Sequence, residues 1–257
     1  MKKFLGSFRI VRLFYFLWVG VKQFFKFRLF AFLHSFFWFS RDIIKFKAGG
    51  RNPRFKFSLW YLFPMLADKT SNTPLDATYF YQDTWAARKI FENKPEKHYD
   101  IGSNAMTIGV LSQFVPITMI DIRPLPLKLN NLSFVEGSIL SLPFENNCIS
   151  SLSTLCVVEH IGLGRYGDPI DVYGSDKAVS ELIRVLKPEG NLYFSVPVDN
   201  QAKVCFNAQR TFTKALIMEM FNELELVEDK YQYGNTLYDE FLPEKGYGTG
   251  LYHFRKR

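Results

Sequence analysis

From Lys97 onward the chain alternates short β-rich runs with helix-forming stretches, and that alternation admits few architectures besides a parallel α/β sheet. Residues 98–101 read as a first strand, Gly102-Ser103-Asn104 as a turn and 104–114 as a helix. Strands follow at 117–122, 132–136 and 149–157. A helix over 175–186 is stopped by Lys187-Pro188-Glu189-Gly190. A strand at 191–196, a helix at 211–223 and strands at 224–231 and 251–255 complete the series. Six or seven strands with crossovers make a doubly wound sheet, which takes its ligand beyond the carboxyl ends of the strands.

The first third of the chain is different in kind. Up to Lys56 it holds 13 basic residues and one acid, Asp42, leaving 19 basic and 24 acidic residues for the rest. The overall +7 therefore belongs to the N-terminus and does not argue for nucleic acid. Fifteen of the 27 Phe residues also fall within the first 60 positions. The longest runs there without Lys, Arg, Asp or Glu, 13–21 and 29–40, are shorter than the ~20 residues of a spanning helix. No small-residue cleavage site follows, so a signal peptide is not indicated. On a helical wheel Lys2, Arg9, Arg12, Lys22, Gln23 and Lys26 share an arc of roughly 160°. Phe14, Trp18 and Phe25 oppose them. A basic face opposite aromatics describes an in-plane helix on an anionic membrane surface; a helical subdomain packing its Phe stripe on the catalytic domain or on a partner is the other reading. No Gly-rich or RNP-like pattern supports RNA binding.

The expected organisation is an amphipathic segment over 1–47, a linker and adapter helix over 48–96 that opens on the breaker cluster Ala48-Gly49-Gly50, and the α/β domain over 97–257. Cys148, Cys156 and Cys205 have no CxxC and no neighbouring His at ligand spacing. They read as reduced thiols of a cytoplasmic protein, with no metal site.

Chemistry concentrates at the strand ends. Asp100, Gly102 and Ser103 form the first turn, at a helix N-terminus that favours an anionic group. Asp121 stands nineteen residues after Gly102, at the end of the second strand, with Ile122 beside it. An acid there is placed to accept hydrogen bonds from both hydroxyls of a ribose. One glycine in the turn is too few for the G-x-G-x-x-G of nicotinamide enzymes.

Phe134-Val135-Glu136-Gly137-Ser138 and Glu181-Leu182-Ile183-Arg184-Val185-Leu186-Lys187-Pro188-Glu189-Gly190 resemble segments of the class I S-adenosylmethionine (SAM)-dependent methyltransferases. The resemblance implies a Rossmann-like sheet with SAM as cofactor. Ser138 then stands where an acid commonly holds the adenine amino group. The turn Gly102-Ser103-Asn104-Ala105-Met106 has side chains where that superfamily usually has glycines, and Asn104 and Met106 are expected to crowd the methionine moiety. More narrowly, Glu159-His160-Ile161-Gly162-Leu163-Gly164-Arg165-Tyr166-Gly167-Asp168-Pro169, with residues 79–90 and 206–210, resembles a methyltransferase-like family of unknown function linked to surface-polysaccharide biosynthesis.

The glycine-rich stretch follows the fourth strand, where an acceptor must meet the cofactor. His160 is a candidate base, with Glu159 beside it. Arg165, Tyr166 and Asp168 are candidate acceptor contacts, Arg165 through its planar fork. The expected function is methyl transfer to a sugar, glycolipid or other envelope precursor, by a protein peripheral on the inner face of the membrane. The alternative is a non-catalytic scaffold on the same fold.

Overall fold

The computed structural model describes residues 29–50 and 52–257. They fall into two compact units that divide between Pro74 and Leu75.

In the first unit, residues 29–48 form a helix, α1, which ends at the expected breaker cluster, with Gly50 at φ +97°. Asp42 pairs with Lys69, whose ammonium also lies 4.4 Å from the Trp38 ring centroid. Phe30, Phe37 and Phe46 are exposed, as are Phe55, Trp60 and Phe63 around the 3-10 turn Leu59–Tyr61. Residues 2–26, on which the amphipathic reading rests, lie outside the described residues. Among the described residues no helix is long and apolar enough to cross a membrane.

The second unit opens with α2 (Ala77–Asn93), the expected adapter helix, in the same unit as the sheet. Asp76 caps it by accepting from the amides of Thr78 and Tyr79. Gln82, Trp85, Ala86 and Ile90 are buried at the spacing of one helical face. Trp85 packs edge-on against Tyr193 and donates to Glu228 at 2.9 Å.

The strands are β1 (His98–Ile101), β2 (Ile117–Asp121), β3 (Leu132–Glu136), β4 (Ile149–Leu155), β5 (Leu186–Val198), β6 (Lys203–Cys205), β7 (Gln209–Thr211), β8 (Leu224–Tyr233), β9 (Thr236–Tyr238) and β10 (Gly248–Lys256). The main sheet runs β3-β2-β1-β4-β5-β10-β8-β9. Its first five strands pair in parallel, and β10 enters antiparallel between β5 and β8. The expected strands are all present.

Residue parity along the strands sends side chains to two opposite layers. Ile117, Met119, Tyr193 and Leu251 pack with α2 and with α3 (Ala105–Leu111). Ile120, Phe194, Tyr252 and Phe254 pack with α4 (Gly174–Val185) and α5 (Lys214–Met220). Such a three-layer arrangement has its switch point where the chain leaves β1 for β2 on one side and returns to β4 on the other.

Several local expectations are corrected. The helix α3 stops at Leu111, so it is shorter than the 104–114 expected. Strand β4 stops at Leu155 because Cys156 adopts φ +53° and turns the chain. Strand β5 begins at Leu186 and runs through the expected Lys-Pro-Glu-Gly stop, with a bulge against Ile149 and Ser151. The hairpin β6–β7 was not anticipated; its strands are only three residues long and carry no alternating pattern.

Candidate functional site

A cavity of about 520 Å³ opens over the carboxyl ends of β1, β2 and β4, a volume within the ~300–1,000 Å³ usual for small-molecule sites. Gly102, Ser103, Asp121, Ile122, Ser138, His160, Tyr166 and Asp168 all line it. Three other sequence candidates stand behind or beside it: Asp100, Glu159 and Arg165 are absent from the wall.

The first turn is built from a buried polar network. His98 sits between Ser151 (2.8 Å) and Ser153 (2.9 Å), and burial pushes its pKa down to about 3. Ser153 donates to Asp100, which also accepts from the hydroxyl (2.6 Å) and amide (3.1 Å) of Ser103. Burial raises the Asp100 carboxyl to about 6, opposed by those hydrogen bonds. Asp100 therefore shapes the turn from beneath. Gly102 has φ +67°, and a Cβ there would meet Val157 at 3.1 Å, so the turn needs a glycine at this one place. Asn104 caps α3 by accepting from the Met106 amide at 2.9 Å. The expected crowding at Met106 does not arise: the side chain is 82% exposed and off the cavity wall.

Asp121 ends β2 with its side chain only 11% exposed. Its carboxylate accepts from the Arg123 amide (2.8 Å) and from both Nε and Nη2 of the same residue (3.3 Å each). The Ser138 hydroxyl accepts from the Leu140 amide at 3.2 Å.

On the acceptor side the glycine-rich loop and the β6–β7 hairpin form one device. Asp168 accepts from the amides of Gly162 (2.6 Å), Gly164 (3.4 Å) and Tyr166 (3.3 Å), so its carboxylate braces the loop from within. Gly162 has φ +81°, and a Cβ there would fall 2.1 Å from the Asp171 carbonyl oxygen. From the hairpin, Arg210 donates to the carbonyls of Ile161 (2.6 Å), Asp171 (3.2 Å) and Val172 (3.4 Å). The Ala208 carbonyl accepts from His160 Nδ1 at 2.7 Å and from Arg165 Nη1 at 3.0 Å. Arg165 Nη1, which can only donate, also lies 3.3 Å from Nδ1, but the carbonyl contact is much the shorter, which favours the tautomer with the hydrogen on Nδ1 and a lone pair on Nε2. Burial lowers the His160 pKa, so the ring is neutral at neutral pH.

Glu159 lies 3.6 Å from His160 Nε2, beyond hydrogen-bond range, and its Oε2 is buried without a partner. Burial pushes its carboxyl up to about 8, so it holds its proton at neutral pH. The neighbouring Cys156 thiol is raised by burial and by Glu159.

Sequence reasoning missed four contributors. Tyr79 of α2 lines the cavity mouth, and Arg123 bridges Asp121 to the ring of Tyr166 at 4.6 Å. Arg210 and the Ala208 carbonyl hold the loop. Tyr79, Ala208 and Arg210 lie in stretches whose resemblance was noted, but a backbone carbonyl has no residue-type signal.

No curated protein matches the chain. A family model described as "Caenorhabditis protein of unknown function, DUF268" matches residues 144–238, which span the glycine-rich loop and the hairpin but leave out β1 to β3. Among solved structures, the chain is similar to Burkholderia thailandensis 1,6-didemethyltoxoflavin-N1-methyltransferase with bound S-adenosylhomocysteine. That likeness has 15% identity, coverage of 72% of this chain and 92% of the other, and a TM-score of 0.52. The N-methyltransferase NodS from Bradyrhizobium japonicum WM9, also with S-adenosylhomocysteine, gives 16%, 75%, 91% and 0.51. The [4+2]-cyclase SpnF gives 14%, 68%, 81% and 0.50, so likeness of fold extends to a protein named for other chemistry. At these identities the fold alone is established: the chain has the mixed α/β, Rossmann-like fold of the class I methyltransferases.

Proposed function

We propose that the protein binds SAM in this cavity and transfers its methyl group to a polar acceptor presented at the mouth. The observation that carries the reading is one juxtaposition: the left-handed Gly102 turn and the Asp121 carboxylate face a common cavity across the switch point of the sheet. The residues present fit the cofactor. Asp121 would accept from the ribose hydroxyls, Ser138 would take the adenine amino group, and the Gly102 turn allows close backbone approach. When bound, SAM supplies an electrophilic methyl group on a sulfonium.

In this reading His160 takes the proton of the acceptor hydroxyl or amine at Nε2; its neutral ring and the Ala208 carbonyl at Nδ1 support that role. The loop holds the acceptor in line, and most of the rate would come from that positioning. Calorimetric titration with SAM and S-adenosylhomocysteine tests the reading. Micromolar binding that is lost in Asp121→Ala is the expected result; a folded wild type that binds neither would remove it.

Sugars, glycolipids or other envelope precursors are the acceptors we favour, with the protein held at the inner face of an anionic membrane. The resemblance of the glycine-rich loop, the basic N-terminus and the exposed Phe30, Phe37, Phe55, Trp60 and Phe63 support this part. Deleting residues 1–47 should release the chain from anionic vesicles, and salt should weaken binding of the intact chain. Vesicle binding unaltered by the deletion would count against it. A second reading, a non-catalytic scaffold, has one observation in its favour: Arg123 already engages both oxygens of Asp121. The same titration separates the two.

A further inference from the structure

We propose that Arg123 and Arg165, which flank the ring of Tyr166, form a clamp for a phosphate or diphosphate group on the acceptor. This rests on the cavity being the acceptor site of the reading above. The guanidinium carbon of Arg123 lies 4.6 Å from the Tyr166 ring centroid and that of Arg165 lies 5.1 Å from it. Two cations gathered on one ring at the cavity mouth repel each other unless an anion joins them.

Their present partners leave capacity for one. Arg165 donates to the Ala208 carbonyl, and among the described residues no carboxylate lies within salt-bridge distance of it. Most of its five N–H groups thus remain available to the solvent side. Arg123 is held by Asp121 at 3.3 Å, which is long for a charge-assisted pair, and its side chain is 57% exposed. Ribose hydroxyls arriving at Asp121 would compete for the oxygens that Arg123 now occupies, turning the guanidinium toward Tyr166 and its neighbour.

Asp168 turns its carboxylate to three loop amides, Asp121 pairs with Arg123, and Glu159 keeps its proton because it is buried. Formally the two guanidiniums balance the two carboxylates, but Arg165 has no carboxylate partner among the described residues, and paired planar forks suit the multiple oxygens of a phosphate ester better than a single carboxylate does. Exposed Ile170, Val172 and Phe206 stand on the loop and hairpin that carry Arg165 and the Ala208 carbonyl. Their apolar surface would favour a diphosphate with a hydrocarbon tail over a nucleotide-linked one.

The full chain is titrated with inorganic pyrophosphate, geranyl diphosphate and uridine diphosphate at fixed ionic strength. We expect micromolar binding of pyrophosphate, weakened at least tenfold by Arg165→Gln and by Arg123→Gln. Lys97→Gln, an exposed cation just before β1 at the opposite end of the sheet from the cavity, should leave it unchanged. Tighter binding of the geranyl ester identifies a lipid-linked source, and tighter binding of the uridine ester a nucleotide-linked one; both support the clamp. Absence of binding up to millimolar concentration, or equal weakening by Lys97→Gln, overturns it. Each proposal can fail separately. Pyrophosphate binding without SAM binding leaves the clamp and removes methyl transfer, while the reverse leaves the cofactor site and removes the clamp.

Discussion

Arg210 is the sharpest test of how the site is assembled, because it acts on the glycine-rich loop entirely through backbone carbonyls. Its guanidinium donates to Ile161 at 2.6 Å, Asp171 at 3.2 Å and Val172 at 3.4 Å, so Arg210→Ala strands three acceptors at the neck of the loop. The first two contacts are well formed and the third is marginal. A hydrogen bond from a charged donor contributes about 1.5–3 kcal/mol, and partial exposure of the carbonyls reduces this, so the two good contacts together stabilise the closed loop by about 2–3 kcal/mol. At 1.4 kcal/mol per tenfold, local opening should become roughly 30- to 100-fold more frequent. Native-state hydrogen exchange reads it directly at the amides of Leu163, Asp171 and Gly174, which are bonded within the loop to His160, Gly162 and Asp171. Those amides should lose protection while β1 and β4 keep theirs. Arg210→Lys, a point charge without the fork, should recover part of the loss. Unchanged protection in Arg210→Ala would refute the idea that the hairpin holds the loop.

Two further outcomes follow from buried charge and backbone strain. Burial raises Glu159 from 4.5 to about 8, so between those values the folded chain keeps a proton that the unfolded chain has released, and stability falls as pH rises. The stability of the wild type relative to Glu159→Gln, from urea unfolding, should therefore decline across that window and level off above it. Working with the difference cancels His98, which titrates in the opposite sense; a difference independent of pH would sink the assignment. Glu189 occupies a left-handed conformation at φ +63° where the resembling segment has glycine, and its ion pair with Arg255 is exposed. Glu189→Gly should relieve about 1 kcal/mol of strain, since an exposed pair contributes little, and raise the melting temperature by roughly 2–4 °C. A lowered melting temperature would show that the pair outweighs the strain.

What the sequence determined by itself was periodic or local. Alternation of apolar runs located β1 to β5, β8 and β10, because a strand packed between two layers presents apolar residues to both, with the buried His98, Asp100, Ser151 and Ser153 of β1 and β4 as exceptions. Asp121 could be found from its spacing to Gly102, and Gly102 from the turn that only a glycine can make. Roles that depend on what lies opposite were not readable. Asp100 and Asp121 are the same residue type at two strand ends, yet one braces the turn from beneath and the other faces the cavity. That difference arises from strand parity and from Ser153 on the adjacent strand, fifty-three positions away. Asp168 reads as an acceptor contact until three loop amides are seen to converge on it. Arg123 and Arg165 lie forty-two positions apart, and only the packing of the glycine-rich loop over the end of β2 brings both to Tyr166. Hydrophobic pattern specifies which face of an element is buried; long-range hydrogen bonds and charge pairings are decided when the layers close, because they depend on distances that no local sequence window contains.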